Sequence, residues 1–261
     1  MRKMMACISL LVMFSANHAH AAENSVVDTS LLSKGIVGVQ SMSTDGKKLK
    51  VAVEKENRIY YYDLPSNGQI NYFPLQMKNG DYKVSIYEQI IDNRYKPVLQ
   101  TSVGLSLKDS NQMFLQSTQN VTWKASMPLV KKAHDLTYRL KGNEDKVKAV
   151  YGYVTKRIKY DYVKLKTVKS GYIPNPSNTY KTNKGICYDY SSLFAAMLRS
   201  QGIPVKLVTG YSTNVKEFHA WNEVYIKEKK KWVIIDTTVD ASRVHPGIYK
   251  SAAQYKKLNE Y

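Results

Sequence analysis

The chain has 261 residues, of which 43% are hydrophobic and 23% charged. That is enough for one large or two modest domains with real cores, so disorder is excluded as the default. The formal charge is +18, which draws an exported protein to polyanions; anionic wall polymers and acidic protein surfaces are the expected partners, and no nucleic-acid-reading motif is present.

In chain order, Met1, Arg2 and Lys3 make a short positive start, Met4 to Phe14 an apolar run, and Ala19-His20-Ala21 a small-residue cleavage site. Residues 1–21 therefore read as a secretory signal cut before Ala22, which makes the protein secreted or wall-associated. The run falls short of the ~20 residues a spanning helix needs, and no later stretch is apolar enough to span. Cys7 lies too early to be a lipidated cysteine at the cleavage point. Cleavage leaves Cys187 as the single cysteine. No intramolecular disulfide is then open to the chain, and an unpaired thiol in an exported protein points to a reactive group or an intermolecular link. His134, His219 and His245 do not stand with Cys187 at zinc-ligand spacing, so no metal or cofactor is expected.

Residues 22–110 read as a β-rich domain. Lys48 to Val53 and Tyr82 to Ile90 alternate polar with apolar residues, and Arg58-Ile-Tyr-Tyr-Tyr is rich in β-formers. Asp45-Gly46, Asn67-Gly68, Asn79-Gly80 and Asp92-Asn93 supply turns. Short strands at this spacing predict a small all-β sandwich. Residues 111–127 read as a connector.

Helix begins at Pro128. A short helix is expected over Lys131 to Leu136. A better one starts with Asn143 as N-cap, carries Glu144 and Asp145 in its first turn, and shows Val147, Val150, Val154 and Ile158 on one face. Lys159 to Lys184 is long for a loop, and such loops often line a site. Gly185 to Gly202 then reads as one helix with Leu193, Ala196, Met197 and Ser200 on a narrow buried face, ended by Gly202 and Pro204. Cys187 falls in its first turn, where free N–H groups and the helix dipole stabilise a thiolate and can hold an oxyanion. Gly185 is expected to admit a substrate backbone.

Three strand-like runs follow: Pro204 to Tyr211, His219 to Ile226 and Trp232 to Thr238. Lys227 to Lys230 joins the last two as a hairpin, which brings Asp236 near His219. The resulting constellation is a nucleophile, Cys187, a base, His219, and an orienting carboxylate, Asp236. Tyr188 and Trp221 are expected to line the cleft, with Trp221 packed beside the histidine. Asn222 and Glu223 are expected on opposite strand faces, and Asp189 as a helix cap or an ion-pair partner.

The run Gly185-Ile-Cys-Tyr-Asp-Tyr, then Ala-Ala-Met-Leu-Arg-Ser-Gln-Gly-Ile-Pro, Thr209-Gly-Tyr, His219-Ala-Trp-Asn-Glu-Val and Trp232 with Ile235-Asp-Thr-Thr resembles the bacterial transglutaminase-like domain over roughly residues 128 to 245. Ile158-Lys-Tyr-Asp upstream also fits. The resemblance implies an α+β fold: a papain-like transglutaminase core over 128–261, its cysteine helix packed on an antiparallel sheet, preceded by the sandwich. It implies Cys187, His219 and Asp236 as the triad, and acyl transfer from an amide through a thioester. An amine would resolve the acyl-enzyme by cross-linking proteins; water would hydrolyse a peptide or amide, with cell-wall peptide as one substrate. The other readings are an inactive binding module that keeps the fold and an adhesin with a lasting thioester link.

Overall fold

A computed structural model describes residues 25–43, 46–244 and 247–261. The secretory-signal reading, with Cys7, falls outside them, as does His245.

The first half is a two-sheet sandwich. One sheet orders β1 (Val26–Asp28), β2 (Ile36–Gln40) and β5 (Asn71–Pro74) as β1-β2-β5. The other orders β3 (Leu49–Lys55), β4 (Arg58–Leu64), β6 (Gly80–Ile91) and β7 (Arg94–Leu105) as β4-β3-β6-β7. All pairings are antiparallel. Along β6, Tyr82, Val84, Ile86 and Glu88 turn to one buried face, the period-2 pattern of a half-covered strand. They meet Val37, Val39, Val51, Val53 and Phe73, all fully buried.

The connector is not a bare linker. Ser110–Leu115 forms a 3-10 turn whose Met113 and Phe114 enter the sandwich core. Asn120, beyond it, accepts the Ser192 hydroxyl at its carbonyl, 2.6 Å away, which fastens the connector to the cysteine helix.

The second half begins with α1 (Pro128–Thr137) and α2 (Asn143–Arg157). Asn143 is the first helical residue and not the cap. Gly142 holds the cap position, and the free Asn143 N–H is met by the Glu228 carboxylate at 2.6 Å. That partner lies 85 residues away, so local sequence could not reveal it. Val147, Val150 and Val154 form the buried stripe that the spacing predicts. The segment from Lys159 to Lys184 is more regular than a loop: β8 (Lys159–Tyr160), α3 (Tyr162–Thr167), α4 (Pro176–Thr182) and β9 (Lys184–Gly185), with β8 and β9 pairing in parallel.

Helix α5 (Cys187–Arg199) follows. Every residue from Asp189 to Arg199 is buried, so the expected narrow face is in fact the whole helix. It runs through the middle of the domain, against α1, α2 and α4 on one side and the sheet on the other. Burying Leu193, Phe194, Met197 and Leu198 contributes roughly 1.5–3 kcal/mol each. The sheet orders β10 (Val205–Ser212), β11 (Val215–Ile226), β12 (Lys231–Ile235) and β13 (Tyr255–Glu260) as β12-β11-β10-β13, all antiparallel. A last short helix, α6 (Thr237–Ala241), leaves β12.

Gly210 is where β13 comes closest. A Cβ there would sit 2.1 Å from the Lys256 carbonyl, beside a register shift in the β10–β13 pairing. Only glycine admits that approach.

The halves meet through aromatic contacts. Tyr60 and Tyr62 stand edge-on to Tyr261, each at 5.9 Å, and Phe114 stands edge-on to Trp232 at 5.5 Å. Arg199, 2% exposed, binds the carbonyls of Val205, Gln116 and Tyr261 and so ties helix, connector and sheet together.

Candidate active site

Cys187 opens α5. The helix runs 13 residues from it, so the thiol lies at the positive end of a substantial dipole. The preceding N–H, of Ile186, is taken by the Asp189 carboxylate at 2.9 Å. Asp189 is 1% exposed, and its charge is compensated by Lys164 at 2.6 Å and the Tyr172 hydroxyl at 2.6 Å. It therefore caps the helix and pairs with a lysine. Gly185 has a different task from the expected one: a Cβ there would lie 2.5 Å from the Asp189 Cβ. The glycine makes room for the cap and not for a substrate backbone.

His219 lies on β11 and is 2% exposed. Its Nε2 is 2.8 Å from Asp236 Oδ2, and Asp236 is fully buried. Nδ1 is then the ring nitrogen left for the thiol. Asp236 does not reach His219 through hairpin register. The β11–β12 ladder ends at the Asn222–Ile235 pair, and the chain turns at Asp236 into α6. Asp236 caps that helix, with Oδ1 accepting the Val239 N–H at 3.1 Å. Capping fixes the carboxylate, and the fixed carboxylate fixes the imidazole. Burial alone would push the His219 pKa down, but its hydrogen bonds to Asp236 and Cys187 and both their charges outweigh it and hold it up at about 9. The imidazolium form is thus the favoured one beside this thiol and carboxylate.

The neighbours fall into two groups. Trp221 is 1% exposed and stacks on His219, with centroids 6.3 Å apart and planes inclined at 28°. It braces the ring from within and does not line the cleft. Tyr188 is half-buried and takes a hydrogen bond from Asn120. It faces a separate hollow of about 250 Å³ at the junction of the two halves. Asn222 is fully buried, donating to the Ser191 and Lys206 carbonyls, while Glu223 pairs outward with Lys257.

The cleft that reaches His219 is about 700 Å³, and all its lining comes from residues 158 to 243. Tyr160, Tyr162 and Leu165 form one wall, Asn214, Val215 and Glu217 another, and the α6 region through Arg243 a third. Tyr160 lies close enough to Cys187 that burial first, and then the cysteine's charge, lift its phenol pKa to about 12. It stays a hydroxyl donor at the mouth of the site. Composition does not single it out among 21 tyrosines. Lys164, Tyr172, Asn214 and Tyr255 also escaped the sequence reading, because each acts across a long sequence separation. Among the described residues no group of three His, Cys, Asp or Glu could hold a metal ion, and no helix is long and apolar enough to cross a membrane.

Residues 130–237 match the model of the transglutaminase-like superfamily. The UPF0252 protein of Methanocaldococcus jannaschii is 34% identical over 119 residues, which are 41% of this chain and 33% of that protein. The human kyphoscoliosis peptidase is 27% identical over 147 residues, 52% of this chain and 21% of the peptidase. The chain thus spans a third or less of these relatives. A solved structure of a candidate cysteine protease from Cytophaga hutchinsonii superposes with TM-score 0.44 at 19% identity, covering 78% of this chain and 74% of the other.

Proposed function

Residues 130–237 are a domain of the transglutaminase-like superfamily, and from that premise we propose that the protein is an exported thiol enzyme that breaks amide bonds through a Cys187 acyl-enzyme. The observation that carries this is the buried His219, set between the Asp236 carboxylate and the Cys187 thiol at a helix N-terminus. The thiolate attacks the amide carbonyl, and the tetrahedral oxyanion faces the α5 N-terminus with the Tyr160 hydroxyl nearby. As the C–N bond breaks, the His219 imidazolium protonates the leaving amine. A second nucleophile then gives a proton to His219, attacks the thioester and releases the thiolate. An amine yields a cross-link and water yields hydrolysis; the open aromatic cleft has room for a peptide segment and its acceptor.

The basic balance supports an anionic surrounding such as a cell wall. Arg157, Lys159, Lys181 and Lys184 are all exposed, and the β8–β9 ladder sets Lys159 beside Lys184 directly before the cysteine helix. Lys159 also lines the cleft.

The test offers wild-type protein and Cys187→Ala a glutamine-containing peptide, with and without a labelled primary amine. Cysteine-dependent ammonia release, peptide cleavage or amine incorporation is the expected result, and their ratio separates the two outcomes. Absence of all three, with a cysteine that alkylates no faster than a free thiol, would favour an inactive binding module.

A further inference from the structure

We propose that Tyr255, on the strand that closes the sheet, is a positioning residue of the active site: its hydroxyl pins the Asp236 carboxylate that orients His219. The proposal rests on the thiol–imidazole–carboxylate reading above and extends it to a residue outside the matched domain.

The Tyr255 hydroxyl is 2.9 Å from Asp236 Oδ2, the same oxygen that faces His219 Nε2 at 2.8 Å. With the Val239 N–H on Oδ1, the carboxylate has three donors and no freedom to swing. The direction of the Tyr255 bond follows from its other partners. Arg243 donates to Asn214 Oδ1 at 2.9 Å, which turns the Asn214 amide nitrogen toward Tyr255 at 3.3 Å. A phenol that accepts from Asn214 has its own proton free for the carboxylate. Burial, then the Asp236 charge, push the Tyr255 pKa far up, which keeps the phenol protonated as the donor to Asp236.

The ring contributes as well as the hydroxyl. Tyr255 packs on Trp221 with centroids 5.0 Å apart, and Trp221 stacks on His219. His219, Trp221 and Tyr255 therefore form an aromatic column whose two outer members both bond Asp236 Oδ2. The brace is closed: neither the imidazole nor the carboxylate can shift without moving the column. The strand that delivers Tyr255 is held by its pairing with Ser212 and by the close approach at Gly210. Besides Asp236 and Tyr255, the ionisable groups around His219 are Cys187 on α5 and, lining the same cleft, Lys159, Tyr160, Tyr162, Tyr190, Glu217 and Arg243; Asp240, bonded by Tyr151 and Lys250, lies near the carboxylate on α6.

The experiment follows Cys187 alkylation by iodoacetamide against pH in wild type, Tyr255→Phe, Asp236→Asn and the double variant. Loosening the carboxylate weakens the thiolate–imidazolium pair, so Tyr255→Phe should move the acid limb up by about half a pH unit or more, about a threefold slower reaction there. In the Asp236→Asn background the same change should add nothing, because Tyr255 acts through Asp236. An acid limb that superimposes on wild type overturns the proposal, as does equal slowing in the Asp236→Asn background, which would mark general loosening. If Tyr255→Phe does not fold, Asn214→Ala at the β10–β11 turn removes the bond that aims the hydroxyl and must shift the limb in the same direction. A wild-type cysteine with no acid-limb reactivity, unaffected by His219→Ala, removes the triad itself and Tyr255 with it.

Discussion

The two halves of the molecule bury very different things. The sandwich core is mainly apolar, and among the described residues the one acidic or basic side chain it buries is Glu88 at its edge, within reach of Lys47 and Lys96. The catalytic half buries Asp189, Arg199, His219, Asp236 and Asp240, each no more than 2% exposed. Burying a charge costs several kcal/mol unless a network offsets it. Asp189 and Arg199 serve the fold, as helix cap and as tie between helix, connector and sheet, whereas the buried His219–Asp236 pair also stands beside the Cys187 thiol. The contrast separates scaffold from chemistry without reference to any motif.

The largest effect that would sharpen the contrast is on turnover. Cys187→Ser should lower amide turnover by about a thousandfold or more, while unfolding free energy stays within about 0.5 kcal/mol, since the side chain is half-exposed and opens a helix. Matched activity and urea-denaturation assays read both. Phe73→Ala should do the reverse: about 3–5 kcal/mol lost by denaturation, with the alkylation pH profile of the folded protein unchanged. A changed profile would break the division of labour, because it would make the sandwich part of the site. Arg199→Met tests the joint between the halves. Three carbonyls lose their donor, and an expected loss of about 2–4 kcal/mol should come with no change in the cysteine's pH profile.

The pH dependence of stability is a smaller effect. His219 has its pKa raised from 6.5 to about 9 in the folded protein. Its contribution is therefore fully present below the unfolded value of 6.5 and is lost as pH rises through about 9. The unfolding free energy should fall across that window, by on the order of 3 kcal/mol, and the fall should be absent in His219→Gln. The smallest effect is at the basic rim. Lys159→Gln with Lys184→Gln should leave stability within about 0.5 kcal/mol, yet weaken binding to an anionic wall polymer at low salt, a difference that high salt erases.

The sandwich strands, the α2 stripe and the order of cysteine, histidine and aspartate were legible because each rests on short-range pattern. Tyr82 to Ile90 alternates, Val147 to Val154 recurs every three or four residues, and Cys187 precedes a long helical run. What was not legible depends on partners far along the chain. Asn143 looks like a cap until Glu228 arrives from 85 residues away. Gly185 looks like a gap for substrate until Asp189 folds back over it. Asp236 reads as part of a strand running on to Thr238, and is in fact the cap of the next helix. Tyr255 carries no local signal at all, since its role exists only once β13 lies against β10.

That last strand has a consequence for the order in which the protein is made. Synthesis delivers Cys187, His219 and Asp236 before Tyr255, and β13 can pair with β10 only after residues 255 to 260 have left the ribosome. A nascent chain short of that point already holds thiol, imidazole and carboxylate, with the carboxylate one donor short. Threading β13 past Gly210 supplies that donor, so the full potency of the nucleophile appears only once β13 has paired, with the earlier strands of the sheet already in place to enclose it.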